Sequence, residues 1–201
     1  MKHILLLTTG GTIASRPTEE GLAPGMDGDA LTRHFPLLSE NYALTVRDIL
    51  HLDSSNIQPE EWQLIARAVH DQRAAYDGVV ITHGTDTMAY TASVLSFMLR
   101  GIPIPVVLTG SQLPIEHPLT DALENLRIAF AMAASGTPGV FVAFDRKVIL
   151  GCRAVKTRTK GFDAFESVNW PPAALVDGGG LHIDPAALPP AAGDRCTLRD
   201  E

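Results

Sequence analysis

Cysteine is scarce: the 201 residues contain two, Cys152 and Cys196. Without a CxxC pair or a His/Cys cluster at ligand spacing, they make neither a disulfide framework nor a zinc site. A reducing compartment follows. Positive charge is also short. Sixteen Lys and Arg stand against twenty-three Asp and Glu, a formal net charge of −7. That balance lacks the basic footprint a nucleic acid or an anionic membrane would require. Long apolar runs are missing, and no stretch approaches the ~20 residues of a membrane-spanning helix. The apolar opening Ile4-Leu5-Leu6-Leu7 ends after four residues at Thr8-Thr9-Gly10-Gly11. It is too short for the apolar region of a secretory signal, and no small-residue cleavage site follows. These absences place the chain in the cytoplasm. Nucleotide fingerprints are missing as well, since neither GxGxxG nor GxxxxGK[ST] occurs.

What is present is an ordinary core-forming composition, 45% hydrophobic and 19% charged, enough for one substantial domain. Strand-like and helix-like segments alternate. Residues 4–7, 78–82, 105–109 and 139–144 read as buried strands, with a weaker signal over 42–50. Pro59 opens a helix carrying Trp62, Ile65, Ala66 and Val69 at helical spacing. A second helix begins at about Thr85, with Ala89, Ala92, Leu95, Met98 and Leu99 on its apolar side and Gly101 beyond its end. A third carries Leu123, Leu126, Ala129, Phe130 and Ala133. The alternation predicts an α/β fold, a mainly parallel sheet with helices on both faces, in the Rossmann-like or flavodoxin-like three-layer manner. The organisation expected is a catalytic domain over 1–170 and a Pro-, Gly- and Ala-rich linker or disordered tail over 171–201.

In open α/β sheets, ligands bind beyond the carboxyl ends of the strands. Three such ends are rich in glycine and small hydroxyl residues: Thr8-Thr9-Gly10-Gly11-Thr12, Thr82-His83-Gly84-Thr85-Asp86-Thr87 and Thr109-Gly110-Ser111-Gln112. Any one of them alone reads more simply as a helix cap, with Thr85 or Asp86 capping the helix that follows. Three loops of the same chemistry favour a site. Threonine is a weak nucleophile that needs a base nearby. Asp86 and Lys156 are candidates for the supporting network. By itself, Lys156 in the segment 153–160 reads as part of a solvated basic strand. His83 reads as a structural hydrogen-bonding residue, and His117 and His182 as surface residues.

Taken together, these motifs resemble the bacterial-type L-asparaginases. Thr8-Thr9-Gly10-Gly11-Thr12-Ile13-Ala14 resembles their amino-terminal signature, and His83-Gly84-Thr85-Asp86-Thr87-Met88 resembles their second. Asp53-Ser54-Ser55-Asn56, Thr109-Gly110-Ser111-Gln112, Val155-Lys156-Thr157 and residues 161–167 fall in the family's order. The likeness runs from about Ile4 to Pro172 and is greatest with the cytoplasmic type I branch.

The resemblance implies ping-pong hydrolysis of the side-chain amide of asparagine, with no metal and no cofactor. It casts Thr12 as the nucleophile and Thr85, Asp86 and Lys156 as the proton-handling group. Asp86, Ser54 and Ser55 would hold the substrate's α-amino and α-carboxylate groups, and the carbonyl of Ser111 would accept from the amide nitrogen. Backbone N–H groups of Thr85 and Thr12 would form the oxyanion hole. A homo-oligomer is implied too.

Two departures from the family stand out. Leu22 takes the place of the tyrosine that many members carry in the mobile loop after the first signature. The smaller carboxy-terminal α/β domain usual in the family is expected to be absent. Two alternatives remain at this point: an amidase domain of an aminoacyl-tRNA amidotransferase, and a catalytically silent ligand-binding module.

Overall fold

The computed structural model describes residues 1–18, 21–190 and 196–199, with side chains left out of the description over 16–24. The expected position of Leu22 therefore lies outside the described side chains.

The first strand, β1 (Lys2–Gly10), is paired on both sides and buried from Ile4 onward. A short helical turn over Thr12–Ala14 follows, then a hairpin of β2 (Ser15–Thr18) and β3 (Gly21–Pro24). Two short helices, α1 (Gly28–Arg33) and α2 (Pro36–Asn41), lead into β4 (Tyr42–Leu52). Asp27 caps α1 by accepting from the Ala30 N–H at 2.7 Å. Helix α3 (Pro59–Gln72) starts on its proline and buries Ile65, Ala66 and Val69. Then come β5 (Gly78–Thr82), α4 (Met88–Met98), β6 (Pro105–Thr109), α5 (Ala122–Ala133) and β7 (Gly139–Phe144).

The sheet runs β4-β1-β5-β6-β7, all parallel. Taken in chain order, these strands lie second, first, third, fourth, fifth, the flavodoxin-like arrangement. Successive side chains of a strand point to opposite faces, and the core divides accordingly. Ile4, Leu6, Val80, Val107 and Phe141 face α1, α2 and α5, joined by Leu31, Leu38, Leu126 and Phe130. Leu5, Leu7, Val79, Ile81, Val106, Leu108 and Val142 face α3 and α4, joined by Ile65, Val69, Ala92 and Leu95. This is the predicted three-layer α/β architecture.

Beyond β7 the sheet turns antiparallel. A tight turn at Asp145 and Arg146, both with positive φ, leads into β8 (Lys147–Leu150). A separate hairpin of β9 (Ala154–Lys156) and β10 (Phe165–Ser167) leaves the sheet, with the rings of Phe165 and Phe144 5.0 Å apart. Finally β11 (Ala174–Asp177) pairs with β8, and β12 (Gly180–Ile183) pairs with β11.

This last hairpin corrects the expectation of a linker from 171 onward. Residues 174–183 carry two paired strands, Ala173, Ala174 and Ala187 are buried, and the Trp170 indole donates to the Ala187 carbonyl at 2.8 Å. The physical reason is that β8 offers an unpaired edge. Small alanines fit against the core there, and Gly178-Gly179 form a two-residue hairpin turn where composition suggests a flexible spacer. The helix expected from about Thr85 starts instead at Met88, three residues later.

Candidate active site

The carboxyl ends of β1 and β5 meet at the point where the strand order reverses, the usual ligand position in this topology. Two glycines make the meeting close. Gly11 has φ +84, and a Cβ on it would lie 2.5 Å from the Gly84 nitrogen. A Cβ on Gly84 would lie 2.5 Å from the Ser54 hydroxyl. The loops can therefore approach this closely only because neither residue carries a side chain. The residues following these glycines, Thr12 and Thr85, are drawn to one cleft. It encloses about 160 Å³ and is lined by Gly11, Thr12, Ser54, Gly84, Thr85 and Asp86, with Ser15 and Asp53 completing it. That is well below the ~300–1,000 Å³ of drug-sized pockets and suits a ligand of a few heavy atoms.

The hydroxyls of the strand ends divide into two kinds. Thr9 donates to the Thr82 carbonyl at 2.8 Å, Thr109 to the Ala143 carbonyl at 2.8 Å, and Thr8 to the Asp48 carboxylate. These bind the sheet together. Thr12 faces the cleft, where a ligand can reach it. Thr85 belongs to a polar chain. Lys156 Nζ donates to Thr85 Oγ1 at 2.9 Å and to Asp86 Oδ1 at 2.7 Å, and Thr85 donates to Gln112 Oε1 at 3.2 Å. Neither Thr85 nor Asp86 caps α4. The N-cap is Thr87, and its hydroxyl donates to the Ser54 carbonyl at 2.8 Å. The simple capping account of this loop fails for that reason.

Lys156 reaches Thr85 from β9, across 71 residues of chain. Its side chain is 14% exposed and that of Asp86 is 65% exposed. An ion pair with one partner so open to water is screened and adds little stability; its effect is to aim the ammonium. Lys156 and Asp86 also border a second, larger groove of about 510 Å³, between α4 and β9.

Ser54 is buried in the cleft. Ser55 is exposed and turned away, its hydroxyl and N–H both given to Asp53 Oδ1 at 2.7 and 2.9 Å. These two bonds, the hydroxyl's first, hold the Asp53 carboxyl below the usual carboxylate range. The cleft thus carries an anion that suits a ligand's ammonium group. Ser111 is buried beside the cleft without lining it, and its hydroxyl closes a turn on the Leu113 carbonyl. Thr12, Ser54, Thr85 and Asp86 are therefore brought together with Lys156 behind them, while Ser55 and the Ser111 side chain stand outside. Asp53 and Gln112 are contributors that local sequence does not single out. Both sit in the polar segments already quoted, and only their partners distinguish them.

His83, beneath the cleft, is fully buried. Desolvation lowers its pKa to about 4, against a smaller opposing effect of the Gly84 carbonyl. Its Nδ1 lies 2.7 Å from that carbonyl and its Nε2 lies 2.9 Å from Thr91 Oγ1, which accepts from the Trp62 indole at 2.9 Å. The carbonyl accepts only, so the proton sits on Nδ1 and Thr91 donates to Nε2. His83 is a neutral strut, the structural role its sequence context suggests. Among the described residues no group of His, Cys, Asp and Glu is arranged to hold a metal ion.

Residues 3–188 match the family profile described as "Asparaginase, N-terminal". The chain is 52% identical to an L-asparaginase of Thermococcus kodakarensis over 176 residues, covering 87% of this chain and 54% of that protein. It is 41% identical to L-asparaginase 1 of Escherichia coli, covering 94% and 57%. It is 36% identical to a subunit of the glutamyl-tRNA(Gln) amidotransferase of Thermoplasma acidophilum, covering 88% and 45%. The solved structure of the thermostable Thermococcus kodakarensis L-asparaginase superposes with a TM-score of 0.91 at 46% identity, covering 99% of this chain and 60% of that one. The chain thus spans about half the length of the curated relatives it matches.

Proposed function

The chain belongs to the asparaginase family, and on that premise we propose that it carries the amide-hydrolysing site of an L-asparaginase, converting L-asparagine to L-aspartate and ammonia. The observation that carries this reading is the polar chain from Asp86 through Lys156 to Thr85, ending at the cleft that holds Thr12. In the first half-reaction the Thr12 hydroxyl oxygen attacks the side-chain amide carbon, giving up its proton, and the amide nitrogen takes up a proton and leaves as ammonia. The acyl-enzyme on Thr12 is then attacked by water, whose proton passes to the Thr85–Lys156 pair and from there to the Thr12 oxygen as the ester bond breaks, so that aspartate is released and the Thr12 hydroxyl is restored. The backbone N–H groups of Thr12 and Thr85, with no backbone acceptor among the described residues, supply the oxyanion donors. Asp86, Asp53 and Ser54 hold the α-amino and α-carboxylate groups, and the Ser111 carbonyl receives the amide N–H. No metal and no cofactor enters the scheme.

Glutamine is one methylene longer, a difference worth only ~1–3 kcal/mol, so a secondary glutaminase activity accompanies this site. A homo-oligomer in the cytoplasm is the setting proposed, consistent with two thiols that are free rather than paired. The amidotransferase relatives support a second reading, transfer of ammonia within a partner complex.

Ammonia release from free L-asparagine and L-glutamine by the purified chain, beside Thr12→Ala, tests the proposal. Turnover that disappears in the variant is expected. Turnover that survives Thr12→Ala removes Thr12 as nucleophile. Release that appears only when a second protein is added favours the amidotransferase reading.

A further inference from the structure

Gln112 lies in the loop after β6, and its side chain reaches the loop joining β9 to β10. Its main chain is fixed, because its N–H donates to both oxygens of Asp121 at 3.0 Å. Asp121 also receives the Leu113 N–H at 3.1 Å and the Asn125 amide at 3.2 Å. The Gln112 side chain then spans two elements. Its Nε2 donates to the carbonyls of Thr159 at 3.2 Å and Gly161 at 2.9 Å, and its Oε1 lies 3.2 Å from the Thr85 hydroxyl.

These partners fix the direction of every bond. The two carbonyls accept only, so the NH2 end must face them and the oxygen must face Thr85. An amide oxygen accepts only, so Thr85 must give Gln112 its single hydrogen. Lys156 can then only donate to Thr85. This is the direction that the proton-loaded state of the relay requires, since a lysine ammonium has no lone pair to accept the Thr85 hydrogen.

We propose that Gln112 is a positioning residue that takes the Thr85 hydrogen whenever Lys156 holds the proton, and that it thereby lets Thr85 pass protons to the lysine. This rests on the reading of Thr85 and Lys156 as the proton-handling pair. The step balances. With neutral Lys156, the Thr85 hydroxyl points at Nζ. As the nucleophile's O–H proton moves onto Thr85 Oγ1, the original Thr85 proton moves onto Nζ. The new hydroxyl hydrogen needs an acceptor away from the ammonium, and Gln112 Oε1 provides it. Without that acceptor a buried hydroxyl is left unpaired in the loaded state, which disfavours the transfer. The Nε2 bonds serve a second purpose. They stop the amide from flipping and tie the loop that follows Lys156 to the site.

The test compares the wild-type chain with Gln112→Met and Gln112→Glu, alongside Thr12→Ala and Thr85→Val. Methionine keeps the length and loses the acceptor; glutamate keeps an acceptor toward Thr85. The expected result is a kcat about two- to tenfold lower in Gln112→Met with KM unchanged, and partial recovery in Gln112→Glu. A raised KM with unchanged kcat, or a Gln112→Glu no better than Gln112→Met, overturns the proposal. If Thr12→Ala or Thr85→Val turns over like wild type, the functional reading itself has failed. Proton NMR provides an arm that does not depend on turnover. A slowly exchanging Thr85 hydroxyl proton close to the Gln112 side chain, lost in Gln112→Met, is expected. Its absence from the wild-type chain overturns the proposal whether or not asparagine is hydrolysed.

Discussion

The approach of the two threonine loops depends on two glycines, and four Gly→Ala substitutions separate the physical reasons. Gly11 combines φ +84 with a Cβ position 2.5 Å from backbone of Gly84. Gly84 has ordinary φ, and its Cβ position lies 2.5 Å from the Ser54 hydroxyl and 2.7 Å from the Ser54 Cβ. Gly136 has φ +77 and open space, while Gly178 has neither constraint. A left-handed conformation costs a non-glycine residue about 1–2 kcal/mol. Forcing a methyl into packed structure costs about 1–3 kcal/mol. Gly136→Ala should therefore lose about 1–2 kcal/mol, Gly84→Ala about 1–3 and Gly11→Ala about 2–5. For a chain of this length each kcal/mol moves Tm by about 2–4 °C. Calorimetry should then show Gly11→Ala lowest, with Tm down by at least about 4 °C, and Gly178→Ala unchanged or slightly raised. Activity separates the same set differently. A displacement of reacting groups by ~1 Å costs ~10²-fold, so Gly11→Ala and Gly84→Ala should lose turnover that Gly136→Ala and Gly178→Ala keep. A Gly11→Ala chain as stable and as active as Gly136→Ala would refute the idea that close approach of these loops builds the site.

Three further outcomes follow from the same geometry. His83 has a pKa of about 4 when folded, against 6.5 ordinarily. Between these values the unfolded chain binds a proton that the folded chain does not, so stability falls as pH drops from 6.5 to 4, by about 3 kcal/mol for this residue; chemical denaturation across that window should flatten in His83→Gln. Lys156→Met should reduce kcat by ~10²–10⁴-fold while moving Tm little, because its partner Asp86 is largely exposed; a large loss of Tm would mean that the ion pair is structural. Ser54→Ala should raise KM for L-asparagine, whereas Ser55→Ala should leave it nearly unchanged, since the Ser55 hydroxyl is committed to Asp53; equal effects of the two in steady-state kinetics would contradict the cleft as drawn.

The sequence by itself determined the layers and marked the loops that meet at the candidate cleft. Continuous apolar strands such as Ile4-Leu5-Leu6-Leu7 and Gly78–Thr82 are stable only when buried on both faces. The helices between them carry one apolar side each, and glycine- and hydroxyl-rich strand ends mark where a ligand meets backbone. Thr12, Thr85 and Asp86 were legible because each lies within a few residues of a buried strand. Lys156 was legible only through resemblance, since nothing local distinguishes it from a solvated basic strand. Tertiary structure alone decided which hydroxyls serve the sheet and which face the cleft, because Thr9, Thr12, Thr85 and Thr109 look alike in the sequence and differ only in partners tens of residues away. It also made Gln112 a bridge between two loops and folded 174–183 onto the edge of β8. These outcomes depend on long-range pairing. Hydrogen-bond direction and edge pairing are set by what the folded chain brings opposite a group, and local sequence carries no record of that.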